Sequence, residues 1–388
     1  MVRMVTVGAD PEFPVLTQGN PSRLGGTKYV PACGLIGGDK GKPIMADPEE
    51  GGWLEDGVMV ELNPKQSTDP RQVSHRIALL HQRVVDILKP KKLSVTIRDV
   101  GWYDVDVLKG HPKALEFGCM PDLTAYEMGQ ERNVPMPAAM ATHGESIRFA
   151  GGHVHLGVTD WPKDLPKFIA VRFLDLLLWK PAIQQWRLQS TERTGYYGLP
   201  GLYRDTPYGL EYRTPSNYWT KEAIVDGEAW FLGRLKAIGN VFAEFETYKE
   251  GLVKLYNNID WNLFQDGMAT HDFDRIYDAI PVEVHGNTNQ VEFGPYMMDL
   301  RNHVAIRDIN GDRLIDPIMG MINEPPGNRD RFEIRFDPAA FLRAREMMGE
   351  AVVPPAHVRW VEENERIDEL VEGLFPDDRE EDEIHDGE

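Results

Sequence analysis

Ile147 to Val158, with Gly151-Gly152-His153-Val154-His155-Leu156-Gly157 at its centre, reads as a β-strand carrying two histidines at spacing two. Residues i and i+2 of a strand share a face, so His153 and His155 point the same way. Working outward, Met4–Val7, Val58–Leu62, Leu93–Ile97, Tyr208–Thr214, Val282–Val284, Gln290–Phe293 and Phe332–Phe336 also read as strands. Asp69-Pro70 opens a helix with an N-cap acid and a first-turn proline. Val73, Ile77, Leu80, Val84 and Leu88 continue it at helical spacing. Two long helices are expected at Leu165–Ser190, kinked at Pro181, and at Lys221–Tyr248. Strands and helices mix without regular βαβ alternation, which predicts an α+β fold on a mostly antiparallel sheet. Neither a P-loop nor a GxGxxG cradle is present.

Composition narrows the class. The chain has 388 residues, with 42 basic and 62 acidic side chains, for a formal charge of −20. Val361–Glu388 alone carries 14 acids and two arginines. The body is therefore mildly acidic, and the segment 361–388 reads as a mobile acidic tail. Residues 1–360 read as one large domain with loop insertions at 19–52 and 190–207. A general nucleic-acid binder would need a basic surface. No apolar run is long enough for a transmembrane helix, and the start lacks a signal peptide's apolar stretch. Two cysteines, Cys33 and Cys119, make neither a disulfide framework nor a four-cysteine zinc site. A reducing cytoplasm is the expected compartment.

Four segments carry chemistry at spacing two. Asp10 and Glu12 place two carboxylates on one face, and a divalent cation relieves their repulsion. Glu61, inside Val58-Met59-Val60-Glu61-Leu62-Asn63, is out of place in an apolar strand unless something pairs with it. His153 and His155 can bind zinc or donate to phosphate or carboxylate oxygens, and the glycines beside them permit close approach. Glu211 and Arg213 share a face, and an arginine can clamp a carboxylate or a phosphate. Each also has a plain structural reading: a solvated strand end, an outward glutamate, core histidines, an internal ion pair. Arg187, Arg193 and Arg204 lie in or beside a loop with Gly195, Gly198 and Gly201, which can cover a polyphosphate or simply present surface charge. Glu283, His285, Glu292, Glu333 and Arg335 repeat the themes more weakly. Carboxylates that hold metal, and arginines that neutralise what the metal leaves, form the electrostatic pattern of phosphoryl transfer.

The ordered series GADPEF (8–13), DGVMVELNP (56–64), FGCMPDLTAY (117–126), GGHVHLG (151–157) and YGLEYRTPSNYW (208–219) resembles the phage-type COOH–NH2 ligases (type 2). These are amidoligases related to glutamine synthetase and glutamate–cysteine ligase. The likeness runs from about Val5 to Trp219. It implies a curved antiparallel sheet, with helices on the outer side and Mg²⁺–ATP on the concave face; Mn²⁺ can stand in for Mg²⁺. Asp10, Glu12, Glu61, His153 and Glu211 would hold metal. His155, Arg187, Arg193, Arg204 and Arg213 would bind the nucleotide, and Asp122 matches a motif position without an assigned role. Pro11 cannot donate to a ladder, so the first strand is expected to end or bend there, which leaves the number of metals open.

The implied reaction is ATP-dependent amide formation. A substrate carboxylate is phosphorylated to an acyl phosphate, and an amine then displaces phosphate. Glu61 or Glu211 would take the amine proton, and Arg213 would stand near the transferred phosphate. Partners would be small-molecule or peptide carboxylates and amines, in the host cytoplasm if the chain is phage-encoded, with no nucleic acid and no membrane. A homo-oligomer is compatible with all of this. Two rival readings are a metal-dependent hydrolase built on His153 and His155, and a non-catalytic assembly protein that kept the fold.

Overall fold

The computed structural model describes residues 3–17, 28–111, 114, 122–132, 141–142, 145–186, 191–194, 197–280, 290–293, 296–299 and 306–308. All lie in the compact unit Met1–Ile334. Arg187, Cys119, Glu283, His285, the expected strands Val282–Val284 and Phe332–Phe336, and the acidic tail with its boundary at 360 fall outside the described residues.

The chain opens with β1 (Val5–Thr17), followed by β2 (Tyr29–Val30), a hairpin of β3 (Ile44–Asp47) and β4 (Gly51–Asp56), and β5 (Met59–Pro64). Helix α1 (Pro70–Leu88) leads to β6 (Leu93–Val95), β7 (Val100–Asp104), α2 (Val105–Lys109), β8 (Asp122–Thr124) and β9 (Gln130–Arg132). Next come β10 (Ala141–Thr142), β11 (Glu145–Phe149), β12 (Gly152–Val158), α3 (Lys167–Leu174), α4 (Lys180–Trp186) and α5 (Thr191–Thr194). Then follow β13 (Leu202–Thr206), β14 (Gly209–Tyr212), α6 (Trp230–Ala243), α7 (Phe245–Asn258), α8 (Trp261–Thr270) and α9 (Phe273–Asp278). The fold is α+β. An 11-stranded antiparallel sheet runs β3-β4-β5-β1-β12-β14-β13-β8-β9, with β2 and β6 pairing the far end of β1. β10-β11-β7 form a second sheet, and β15 (Gln290–Phe293), β16 (Tyr296–Asp299) and β17 (Ile306–Asp308) a third.

Alternation divides the large sheet into two faces. Val5, Val7, Ala9 and Phe13 of β1 join Val60, Leu62, Val154, Leu156, Leu210 and Tyr212 in the main core. Helices α1 and α6 pack there, with Val73, Ile77, Leu80, Val84 and Leu88 on α1 and Phe231, Leu235 and Ile238 on α6. The helix α1 starts as its sequence dictates, with the Asp69 carboxylate accepting from Arg71 N at 3.0 Å. Residues of the opposite parity, among them Asp10, Glu12, Glu61, His153, His155 and Glu211, fall on the other face.

Several boundaries differ from the sequence reading. β1 passes through Pro11 and Pro14 without ending. Val7 N donates to Ser67 O on the β5 side, and Glu12 N donates to Gly151 O on the β12 side. Amides alternate in direction, so Pro11 shares the Val7 side and Pro14 the Glu12 side. On the first side the register to the neighbour shifts between Val7 and Glu12; on the second, β12 gives way to β6. Each proline sits at such an irregularity, where no ladder donor is needed. The expected strand 147–158 is two strands in different sheets, turned at Ala150-Gly151; the expected loop at 19–52 contains β2, β3 and the start of β4, and that at 190–207 contains β13.

The two long helices are also interrupted. Between α3 and α4 the chain makes a π-helical turn, Asp175–Trp179, in which Lys180 N bonds to Asp175 O. The missing amide of Pro181 leaves Leu177 O free of its usual donor, and the buried Arg234 guanidinium supplies one. The second expected helix breaks at Gly227, in the left-handed region at φ 69°, and Glu222 then caps α6 by accepting from Phe231 N at 3.1 Å.

The wide turn carries a buried acid. Asp175 is wholly enclosed, and burial pushes its carboxyl up to about 7 even though the Tyr212 hydroxyl donates to it at 2.5 Å. An unfolded aspartate titrates near ~3.9. The folded state therefore binds the extra proton between these values, and this stabilisation is lost as pH rises through 7. Asp175→Asn removes the titration. Its unfolding free energy relative to wild type should rise between pH 4 and pH 8, by up to a few kcal/mol, in urea denaturation at both values. An equal difference at both would show that the carboxyl is not burdened by burial.

Candidate functional site

The polar face of the sheet opens into a cavity of about 420 Å³. Its lining includes Asp10, Glu12, Glu61, His153, Arg204 and Arg213, together with Lys40, Asp56, Arg148 and Tyr197. Four of the five motifs thus contribute side chains to one cavity, and Asp122 from the remaining one contacts two of its arginines. Strand pairing brings them there: Asp10 lies opposite His153, Glu12 opposite Glu61, His155 opposite Glu211, and Glu211 opposite Arg204.

The acids fall into two groups with different electrostatics. Asp10, His153 and Glu211 can place ligand atoms within 4.8 Å of one another. This group is already crossed by cations. Asp10 Oδ1 lies 3.3 Å from His155 Nε2 and 3.6 Å from His153 Nδ1. Burial acts to raise the Asp10 carboxyl, but the two imidazoles hold it below the usual range. Burial likewise lowers the His155 imidazole, and Asp10 more than restores it. Glu211 Oε1 is taken by Arg213 Nη1, which also sits 3.2 Å from His153 Nδ1.

Glu12, Asp56 and Glu61 form the second group, again with ligand atoms within 4.8 Å. Burial, then Asp10, Glu12 and Asp56, push the Glu61 carboxyl well above its ordinary value. Burial also raises Glu12, against the pull of His153. Neutral donors reach these acids: Gly151 N to Glu12 Oε2 at 2.7 Å and Asn63 Nδ2 to Glu61 Oε1 at 3.1 Å. Lys40 contacts Asp56 at 2.9 Å.

Arg213 is held from several sides. Asp122 Oδ1 lies 2.7 Å from its Nε, Glu211 meets Nη1, and Nη2 donates to the Tyr197 hydroxyl at 2.8 Å. The same hydroxyl lies 2.9 Å from His153 Nε2. Arg204 shares the two acids, 3.4 Å from Asp122 and 3.8 Å from Glu211. These contacts give Asp122 a role the sequence did not assign.

Some expected roles change. The metal-binding set is not one cluster: Asp10, His153 and Glu211 separate from Glu12 and Glu61, and Asp56 joins the latter. The cavity lining does not include His155 or Glu211; His155 is engaged by Asp10 and by the Tyr208 hydroxyl at 3.1 Å. Arg193, expected to bind nucleotide, is wholly buried and donates to three backbone carbonyls, Ala150 at 3.1 Å, Thr214 at 2.9 Å and Pro215 at 3.1 Å. Gly198 makes room for it: at φ +70° an added Cβ would lie 1.7 Å from Arg193 Nη1. The glycines of GGHVHLG serve the protein itself. A Cβ on Gly151 would meet the His153 ring at 2.3 Å, and one on Gly152 would meet Ser216 O at 2.1 Å. Sequence reasoning missed Asp56, Lys40 and Tyr197. For Asp56 a signal existed, since Asp56-Gly57 between apolar runs marks a hairpin: Asp56 pairs with Met59 across the Gly57-Val58 turn, which places β4 beside Glu61.

No family model matches the chain, and no curated protein matches it. Among the described residues, no helix is long and apolar enough to cross a membrane.

Arg193→Met removes a donor from three buried carbonyls; Pro215 O still accepts from Gly152 N, so the loss falls on Ala150 O and Thr214 O. The expected cost is on the order of 3 kcal/mol in urea unfolding, because an orphaned buried acceptor loses its desolvation free energy in full. A cost near zero would place Arg193 back among surface charges.

Proposed function

We propose that the chain is an ATP-dependent carboxylate–amine ligase built on a glutamine synthetase-like catalytic fold. The observation that carries this reading is the convergence of residues from four distant segments, acids and arginines together, on one cavity of the polar sheet face. Such a cavity suits a polyanion that is bridged by a cation and flanked by guanidinium groups.

The residues fit a divalent cation. Glu12, Asp56 and Glu61 offer oxygen donors alone, the chemistry that Mg²⁺ and Mn²⁺ favour, and among the described residues Lys40 is the cation that forms an ion pair with this group. When bound there, Mg²⁺ would neutralise carboxylate and phosphate oxygens together. Arg204, with its side chain 28% exposed, offers guanidinium surface to the cavity. Arg213, 5% exposed and fixed by Asp122 and Tyr197, sets the positive field behind it. Preorganised charge of this kind needs no rearrangement as phosphate charge develops. Glu61 lines the cavity and is the better-placed proton acceptor for an incoming amine; Glu211 stands behind Arg213 as its counter-charge.

The zinc-hydrolase alternative draws less support. The two histidines do not fall in one ligand group among the described residues, and the Arg213 cation faces His153 where a metal would have to approach.

The test is nucleotide dependence. Mg²⁺–ATP should raise the thermal midpoint more than Mg²⁺ or ATP alone. An ADP-release screen over amino acids, polyamines and peptides should find a carboxylate and amine pair that are both required, with the condensed product identified by mass spectrometry. Glu61→Gln should reduce that turnover by about 100-fold or more while the protein remains folded. No thermal response to Mg²⁺–ATP and no ADP release across the matrix would overturn the ligase reading; nucleotide-independent hydrolysis with retained zinc would replace it.

A further inference from the structure

The loop between β2 and β3 brings a single ammonium into the acidic end of the cavity. Lys40 lines the cavity and contacts Asp56 Oδ2 at 2.9 Å, although its own side chain is 56% exposed. The loop is built to hold this lysine on a tether. At its base, the Glu55 carboxylate accepts from Gly34 N at 2.8 Å, Ile36 N at 3.0 Å and Gly37 N at 2.7 Å. At its tip, Asp39 and Lys42 close a tight turn through reciprocal backbone hydrogen bonds. Gly37 and Gly38 between them adopt φ 77° and 85°, which side-chain-bearing residues rarely do. Neighbouring residues of β4 thus divide the work, Glu55 gripping the loop and Asp56 facing the acid group.

One ammonium cannot neutralise three carboxylates. An exposed lysine is an ammonium at neutral pH, and here it faces Asp56 at 2.9 Å. A divalent cation brings twice the charge, and Glu12, Asp56 and Glu61 can all reach it, whereas the lysine contacts Asp56 alone. An exposed lysine on a tethered loop is also free to leave.

Resting on the ligase-site reading above, we infer that Lys40 is the resident counter-ion of the Glu12–Asp56–Glu61 group, and that an entering divalent cation displaces it from Asp56. The released ammonium stays at the cavity mouth, where it meets the next anion to arrive. Cation binding therefore precedes, and prepares for, the anionic substrate.

Mn²⁺ is the probe, with the full-length chain. Lys40 should react with an amine-directed acylating reagent more slowly than its exposed neighbour Lys42, read by peptide mass spectrometry. Saturating Mn²⁺ should bring Lys40 up to the Lys42 rate. Lys40→Met should tighten Mn²⁺ binding at least threefold in calorimetry, since the competing charge is gone. Mn²⁺ binding that leaves Lys40 labelling unchanged, or that weakens in Lys40→Met, overturns the exchange while leaving the site intact. Failure of wild type to bind Mn²⁺, or equal binding by Glu61→Gln, overturns the site reading and the exchange with it.

Discussion

The pairing register of β1 fixes everything else on the polar face. With Asp10 opposite His153 and Glu12 opposite Glu61, odd-numbered residues of β1 face the helices and even-numbered ones face the cavity. A slip of one residue would send Asp10 and Glu12 into the core and expose Val7, Ala9 and Phe13. Burying an unpaired carboxylate there would cost far more than the fold can spare, so apolar burial on one side sets the geometry of charged groups on the other. The prolines reinforce this register, because each one fits only where its strand side lacks a regular ladder partner.

On that face, two acid groups of similar composition end in opposite states. Asp10, His153 and Glu211 are threaded by Arg213 and His155, and their charges are largely matched. Among the described residues no arginine forms an ion pair with Glu12, Asp56 or Glu61, which crowd together with Arg213 acting on Glu12 only at longer range. At an effective dielectric of about 20, two unit charges 4.8 Å apart repel by about 3 kcal/mol. Three such pairs would consume a large share of a typical domain's stability. Raised carboxyl affinities for protons at Glu12 and Glu61 are the expected response, and a divalent cation is the alternative one.

What could be read in the sequence was local. The helix α1 was legible end to end, since an N-cap acid, a first-turn proline and five apolar residues at helical spacing all agree, and those five residues are buried. Pairs such as His153/His155 and Glu211/Arg213 were legible because strand alternation is a two-residue property. The break at Ala150-Gly151 was hidden by strand-forming residues on either side; beside it, Ser216 and the His153 ring pack so closely that only glycine fits at 151 and 152. The strands in the glycine-rich stretches were hidden for the converse reason, because partners distant in sequence stabilise segments with poor propensity of their own. Asp56, Lys40 and Tyr197 reach the cavity through a hairpin, a loop and a tertiary contact, none of which leaves a periodic trace.

Arg193 and Arg213 show how far residue type alone carries. Both are buried, and both were candidates for anion binding. Arg193 donates to backbone carbonyls of the corner; Arg213 meets carboxylates directly. Tyr197 joins them, its ring 4.9 Å from the Arg193 guanidinium and its hydroxyl on Arg213 and His153. The cation that holds the corner near Ala150 thereby positions the phenol that orients the cation of the cavity. The placement of Arg213 is thus inherited from the scaffold rather than set by its acidic neighbours alone, and a substitution that loosens the corner should reach the cavity without touching any residue that lines it.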